Sequence, residues 1–293
     1  MPTQLKRIIK RLFYLNVHTE HFYHLIILRL FKKKLINNSF DRKNIKKIDY
    51  IKAFEDNILN TYPAIDEIEK NFNYKINQDW FNQLALITQI TIKKSKVCYA
   101  HGRVLYSYLR KYLENQSHDF IQVFETGTSK GFSSLCMAKA LDDSNKKGNI
   151  LTVDILPHDK KIYWNSVSDF EGKKTRGELL DQWGFLIDKY ISYLTGESKK
   201  IINSSILKRI NFAYLDGSHT YYDVKREFEF VASLQNKSDI VIIDDYDKQY
   251  LGLRKAADLC CSKFNYNKKI IVAEPNRTYL ICVKNWILIK NIS

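Results

Sequence analysis

The stretch Val123-Phe124-Glu125-Thr126-Gly127-Thr128-Ser129-Lys130-Gly131-Phe132-Ser133-Ser134 decides how the rest of the chain is read. An apolar β-branched run ends in an acid, passes through a glycine turn and enters a helical pattern. That order places backbone donors and one carboxylate at the C-terminal end of a strand, where open α/β sheets bind their ligands. Gly127 opens backbone conformations closed to other residues, and Gly131 lets turn and helix approach closely. A phosphate-cradling loop needs Gly-x4-Gly-Lys-Ser/Thr and a dinucleotide loop needs Gly-x-Gly-x-x-Gly; neither pattern is met. Glu125 repels a phosphate but suits a cationic ammonium or sulfonium. Taken alone, the stretch is equally compatible with a purely structural turn.

Outward from this stretch, short apolar runs alternate with helical segments, the pattern of an α/β sheet. Strands are predicted at Gln122 to Glu125, Ile150 to Ile155, Tyr190 to Leu194, Asn211 to Leu215, Ile240 to Asp244, Ile270 to Ala273 and Tyr279 to Val283. Helices are predicted at about Phe132 to Leu141, Arg176 to Lys189, Ser198 to Leu207, Tyr221 to Leu234 and Leu251 to Phe264. Five strands separated by helices, then two adjacent strands, imply a Rossmann-like, seven-stranded, mostly parallel sheet with one antiparallel strand. Upstream, helical spacing runs from Leu5 to about Leu35, from Tyr50 to Leu59 and from Asp79 to Thr91, with a break near Pro63 and a further helix carrying Val104, Leu105, Tyr108, Leu109 and Tyr112. The division expected is a basic helical region over residues 1–100 and a ligand-binding domain over 101–293.

Each later strand end adds chemistry. Asn149-Ile150-Leu151-Thr152-Val153-Asp154 ends in an acid able to accept both hydroxyls of a ribose, although a plain surface aspartate reads the same way. After the third strand, Thr195-Gly196-Glu197-Ser198 offers backbone and hydroxyl contacts to an adenine edge. The fourth gives Leu215-Asp216-Gly217-Ser218-His219-Thr220, with Thr220 and Asp223 at capping-box spacing, so that Asp216 and His219 stand at the functional edge. The fifth ends in Asp244-Asp245. Three carboxylates at adjacent strand ends suit Mg²⁺; they serve equally as loop caps. His219 is either a proton acceptor or a cap. In the long segment from Leu156 to Lys189, Tyr163 and Trp164 either stack on a sugar face or anchor the loop.

Together Phe124 to Ser134, Asp154, Leu215 to Val224 and Ile243 to Tyr246 resemble class I S-adenosylmethionine-dependent methyltransferases, especially the macrocin-type and sugar O-methyltransferase branch. The resemblance spans about Val104 to Val283. It implies that Glu125, Gly127 and Gly131, with Thr128, Ser129 and Ser133 between and after them, surround the methionine part of S-adenosylmethionine. Asp154 then binds the ribose, with Ser198 and Asp216 also lining the cofactor. Asp216, Asp244 and Asp245 hold Mg²⁺ in metal-dependent members. Some members carry an acid as proposed base where this chain has Ser218, which makes His219 the substitute, with Asp216 beside it. The implied acceptor is a small hydroxylated molecule, a sugar in that branch. A retained but inactive fold serving as a scaffold is the competing reading, and the intact strand-end carboxylates argue against it.

The 293 residues, 45% hydrophobic and 13% aromatic, exclude a disordered chain. Five cysteines without metal-ligand spacing point away from a disulfide framework and toward a cytoplasmic setting. The net charge of +15 is concentrated at the start, where residues 1–50 hold twelve Lys or Arg against three acids. That excess suits a solvated basic surface, peripheral contact with an anionic membrane or an acidic polymer. Nucleic-acid methylation is disfavoured because the charge lies away from the catalytic half and no Asn/Asp-Pro-Pro-Tyr/Phe motif is present. A homo-oligomer is compatible with everything above.

Overall fold

The computed structural model describes residues 26, 45–92, 96–204 and 207–285. Apart from Ile26, the helical span expected from Leu5 to Leu35 lies outside the described residues, as do most of the basic start and residues 93–95.

The elements run α1 (Lys47–Ile58), α2 (Pro63–Phe72), α3 (Gln78–Thr88), α4 (His101–Glu114), β1 (Phe120–Thr126), α5 (Phe132–Asp143), β2 (Lys147–Asp154), α6 (Arg176–Leu179), α7 (Gly184–Tyr190) and β3 (Ile191–Thr195). They continue as α8 (Ser198–Asn203), β4 (Phe212–Leu215), α9 (Tyr221–Ser233), β5 (Ile240–Ile243), α10 (Leu251–Lys263), β6 (Tyr266–Glu274) and β7 (Arg277–Lys284). The seven strands form one sheet in the order β3-β2-β1-β4-β5-β7-β6. Pairings are parallel from β3 to β5, and β7 runs antiparallel to both β5 and β6. This is the seven-stranded, Rossmann-like arrangement expected.

Two expectations need correcting. The break near Pro63 falls at residues 59–62, but Pro63 itself opens a helix that was not expected, α2, where its missing N–H is no loss and its fixed φ suits the first helical turn. The single helix expected from Arg176 to Lys189 is two short helices flanking a 3-10 turn at Asp181–Trp183. Gly177 and Gly184 lower the helical preference of that run, which is too short to offset them.

Strand alternation sorts the core. Phe212 and Tyr214 on β4, with Ile240 and Ile242 on β5, face one side; Ala213, Leu215, Val241 and Ile243 face the other. The first face is continuous with the upstream helices, so Tyr50, Ile65, Phe81 and Leu105 share one apolar cluster with Phe132 of α5. Gly102 makes the contact tight: a Cβ there would stand 2.6 Å from the Phe132 ring and 2.8 Å from Cys136 Sγ. A buried Arg103 fastens α4 to α2 through Glu69 (2.8 Å) and Asp66 (2.5 Å). The consequence is positional, because α4 begins with His101 beside the sheet's working edge.

Candidate active site

The loop after β1 is built around three residues in the left-handed region: Gly127 (φ 91°), Ser129 (φ 48°) and Gly131 (φ 93°). Gly127 donates to Val153 O at 2.9 Å, and Gly131 donates to Thr128 O at 2.8 Å. A Cβ on Gly127 would sit 2.1 Å from the backbone oxygen of Asp216. The loops after β1 and β4 therefore touch through backbone alone. Thr128 Oγ1 meets Thr152 Oγ1 at 2.5 Å, tying the loop to β2.

Glu125 is 0% exposed. Both its oxygens are taken by the hydroxyls of Ser133 and Ser134 in the first turn of α5. Burial pushes its carboxyl up, and the two serine hydrogen bonds pull it back toward the ionised form. As arranged, the side chain supports the loop from beneath, and Ser133 is its partner. Asp154 accepts from Ser129 N at 2.6 Å and from Leu156 N at 2.7 Å. A carboxylate has about four lone-pair positions, so room for two ribose hydroxyls remains.

A second cluster of polar side chains lies where β4 and β5 stop. Asp216, Asp244 and Asp245 come together there, and His219 lies between two of them. Its Nε2 is 3.5 Å from Asp216 Oδ1 and its Nδ1 is 3.6 Å from Asp245 Oδ2. The contact at Nε2 is an ion-pair distance without hydrogen-bond geometry, so this buried atom has no hydrogen-bond partner among the described residues. Burial works against the imidazolium, but Asp216 and the charges of Asp245 and Asp244 outweigh it and push His219 up to about 9. Burial, then the charge of Asp244, raises Asp216 in turn. The pair therefore exchanges protons as a unit. Asp245 has a left-handed backbone (φ 50°), the strain expected of a functional turn.

Several neighbours of this cluster were not legible in advance. Arg277, at the start of β7, meets Asp245 Oδ1 at 3.2 Å. Tyr214 donates to Asp244 Oδ2 at 3.0 Å, and His101 stacks on Tyr214 with ring centroids 6.2 Å apart. Only sheet order reveals that β7 lies beside β5; spacing along the chain carries no such signal. Ser218 donates to Asp223 Oδ2 at 2.8 Å, and Thr220 caps α9, as its spacing predicted. Ser218 thus faces the cap. Trp164 is buried with its Nε1 on Lys174 O at 2.9 Å, so it anchors its own loop and presents no sugar face.

The expected magnesium site is not preformed. Among the described residues no group of His, Cys, Asp and Glu is arranged to hold a metal ion. Asp245 is met by Arg277 and His219, Asp244 by Tyr214 and the Asp245 amide (2.8 Å), and Asp216 by His219. These donors stand where a cation would.

Ser198 begins α8 and, with Thr126 Oγ1 (2.9 Å from Oε2), serves the buried Glu227 of α9. Glu227 is 1% exposed, and burial pushes its carboxyl up to about 7, against those two hydrogen bonds. A raised carboxyl stabilises the fold below the unfolded carboxylate range, and that stability is lost as pH rises through the folded value. Between about pH 4.5 and 7 the loss amounts to about 3 kcal/mol. Thermal unfolding of Glu227→Gln is expected to lack most of this decline and to exceed the natural chain at pH 8. Equal declines in both proteins would remove Glu227 as its source.

Residues 124–246 match the methyltransferase domain family. The matched span begins inside β1 and ends just after the Asp244-Asp245 pair. Two solved structures share the fold: cofactor-bound Rv0187 from MTB (11% identity, 83% of this chain and 99% of that one, TM-score 0.50) and the O-methyltransferase NovP (13% identity, 71% and 99%, TM-score 0.50). The central part of the chain thus matches a methyltransferase domain, on a fold shared with these structures. A third, the O-methyltransferase TomG from Streptomyces achromogenes in complex with SAM, aligns at 14% identity over 84% of this chain and 100% of its own, with a TM-score of 0.47. No curated protein matches the sequence. The methyltransferase domain as matched omits His101 and Arg277, which the fold returns to its active end from either side. No helix among the described residues is long and apolar enough to cross a membrane.

Proposed function

We propose that the chain transfers a methyl group from S-adenosylmethionine to a hydroxyl oxygen of a small acceptor, with a sugar as the acceptor class suggested by the sequence resemblance. One observation supports the reaction most: a buried histidine nitrogen without a hydrogen-bond partner among the described residues, on a ring held between two carboxylates at the ends of β4 and β5. The loop from Gly127 to Gly131, with Asp154 and Ser198, fits the methionine and ribose parts of the cofactor, and Gly127 leaves the backbone clear. When bound, S-adenosylmethionine supplies an electrophilic methyl carbon on a sulfonium.

The chain's own contribution is alignment and proton transfer. Holding the acceptor oxygen in line with the methyl carbon removes several kcal/mol of barrier. His219 Nε2 takes the hydroxyl proton as the new O–C bond forms, and Asp216 and Asp245 stabilise the resulting imidazolium. Arg277 and Tyr214 hold Asp245 and Asp244 against their mutual repulsion. This proton transfer runs on these side chains and requires no metal.

Calorimetric titration with S-adenosylhomocysteine tests the reading, with binding at one site expected in buffer containing EDTA. Absence of binding by the intact chain rejects it. In a screen of nucleotide sugars and polysaccharide fragments, turnover is expected to survive chelation; a loss restored by Mg²⁺ would reinstate the metal.

A further inference from the structure

The long connection between β2 and β3 sends one charged side chain back into the domain. Arg176, the first residue of α6, is 2% exposed. Among the described residues its partners are carbonyls and ring faces: Nε donates to Ser129 O at 2.9 Å, Nη2 to Leu156 O at 3.5 Å, and the guanidinium lies 5.5 Å from the Trp164 ring centroid and 5.0 Å from that of Tyr193. Burying a guanidinium costs several kcal/mol even when its donors are used. A chain needing only to pack this space would do so with an apolar residue.

The place where the charge is spent is specific. Ser129 is a non-glycine residue held at φ 48°, a conformation that stands only when its surroundings impose it. Asp154 grips its amide at 2.6 Å and Arg176 grips its carbonyl at 2.9 Å. The neighbouring residues are fastened by the same connection. Lys130 Nζ reaches Asn165 O at 3.3 Å, and the space left by the absent side chain of Gly131 is filled by Leu180, whose Cδ1 would be 2.8 Å from a Cβ there.

We propose that Arg176 is a positioning residue for S-adenosylmethionine, acting through Ser129 to hold the loop after β1 in its binding shape. The inference rests on the reading of this loop as the cofactor site. It gives the β2–β3 connection a task other than covering the acceptor: it clasps the cofactor loop from behind. Arg176 itself need not touch the ligand.

The test uses S-adenosylhomocysteine calorimetry on the full chain, comparing the natural protein with Arg176→Met, Arg176→Lys and Val231→Ala. A hydrogen bond from a charged donor corresponds to about 10- to 100-fold in affinity, which is the weakening expected for Arg176→Met. Lysine keeps the charge and one donor without the planar fork, so Arg176→Lys recovers part of that loss. Val231→Ala opens a cavity in the last turns of α9, on no residue of the loop or of the β2–β3 connection, so it lowers Tm yet leaves affinity within about threefold, since a cavity acts mainly on stability. Hydrogen exchange supplies a readout without ligand: amides of residues 128–131 exchange faster in Arg176→Lys while those of α5 stay protected. Natural affinity in both arginine variants overturns the proposal, as does an equal loss in Val231→Ala. If the natural chain itself fails to bind, the cofactor reading falls first, and the two failures are thereby told apart.

Discussion

Gly127→Ala is expected to lower Tm by on the order of 10 °C and to abolish measurable S-adenosylhomocysteine binding. The cause is steric. An added methyl would lie 2.1 Å from the Asp216 carbonyl oxygen, far inside contact distance, and the backbone at φ 91° already disfavours any side chain. Strain at such a position and overpacking each cost about 1–3 kcal/mol, so a combined loss of about 3–5 kcal/mol follows. Relief requires the loops after β1 and β4 to part, which separates the cofactor loop from Asp216 and His219. Differential scanning calorimetry and the same titration check both effects. A variant with unchanged Tm and affinity would mean that the two loops do not meet as described.

His219→Ala is expected to lower kcat by about 10²- to 10⁴-fold, the range for loss of a general base, while S-adenosylhomocysteine affinity stays within about twofold because the imidazole faces the carboxylates and not the loop. The natural protein adds a second signature. His219 is raised to about 9, so at neutral pH most of it is imidazolium and unable to accept a proton. The rate should therefore climb roughly tenfold per pH unit from pH 7 and level off near the raised value. A profile already flat at pH 7 assigns the proton to another group. The same shift carries stability in the opposite sense: the charged histidine helps the fold below its ordinary value of about 6.5, and this help is lost as pH rises through about 9. An alkaline optimum for turnover is thus accompanied by a slightly weaker fold.

The sheet was legible because each strand is a short β-branched run with a distinct end, from Val123 to Glu125 through Ile240 to Asp244. The carboxylates at those ends were legible for the same reason, since a strand's last residue has one place to be. Their partners were not. Arg277 reaches Asp245 because β7 inserts beside β5, and His101 reaches Tyr214 because Gly102 lets α4 approach α5. Those neighbours come from sheet order and helix crossing, which no local pattern encodes. The hydrogen bonds of Glu125 to Ser133 and Ser134 likewise depended on rotamer and depth, which the end of a strand does not encode. In the connection after β2 the sequence left Trp164 open between stacking and anchoring, because only the fold shows that Lys174 O takes its indole nitrogen.

The insertion of β7 between β5 and β6 bears on the order in which the molecule can be made. On a ribosome, β5 emerges before its neighbour, and β6 emerges with nothing to pair against until the chain turns at Asn276. Throughout that interval the row of amides and carbonyls along Ile240–Ile243 is an open edge, the kind of surface on which nascent chains join one another. The last strand closes that edge and delivers Arg277 to Asp245 in the same motion. A nascent chain stalled before that point would be both sticky and without a finished catalytic centre.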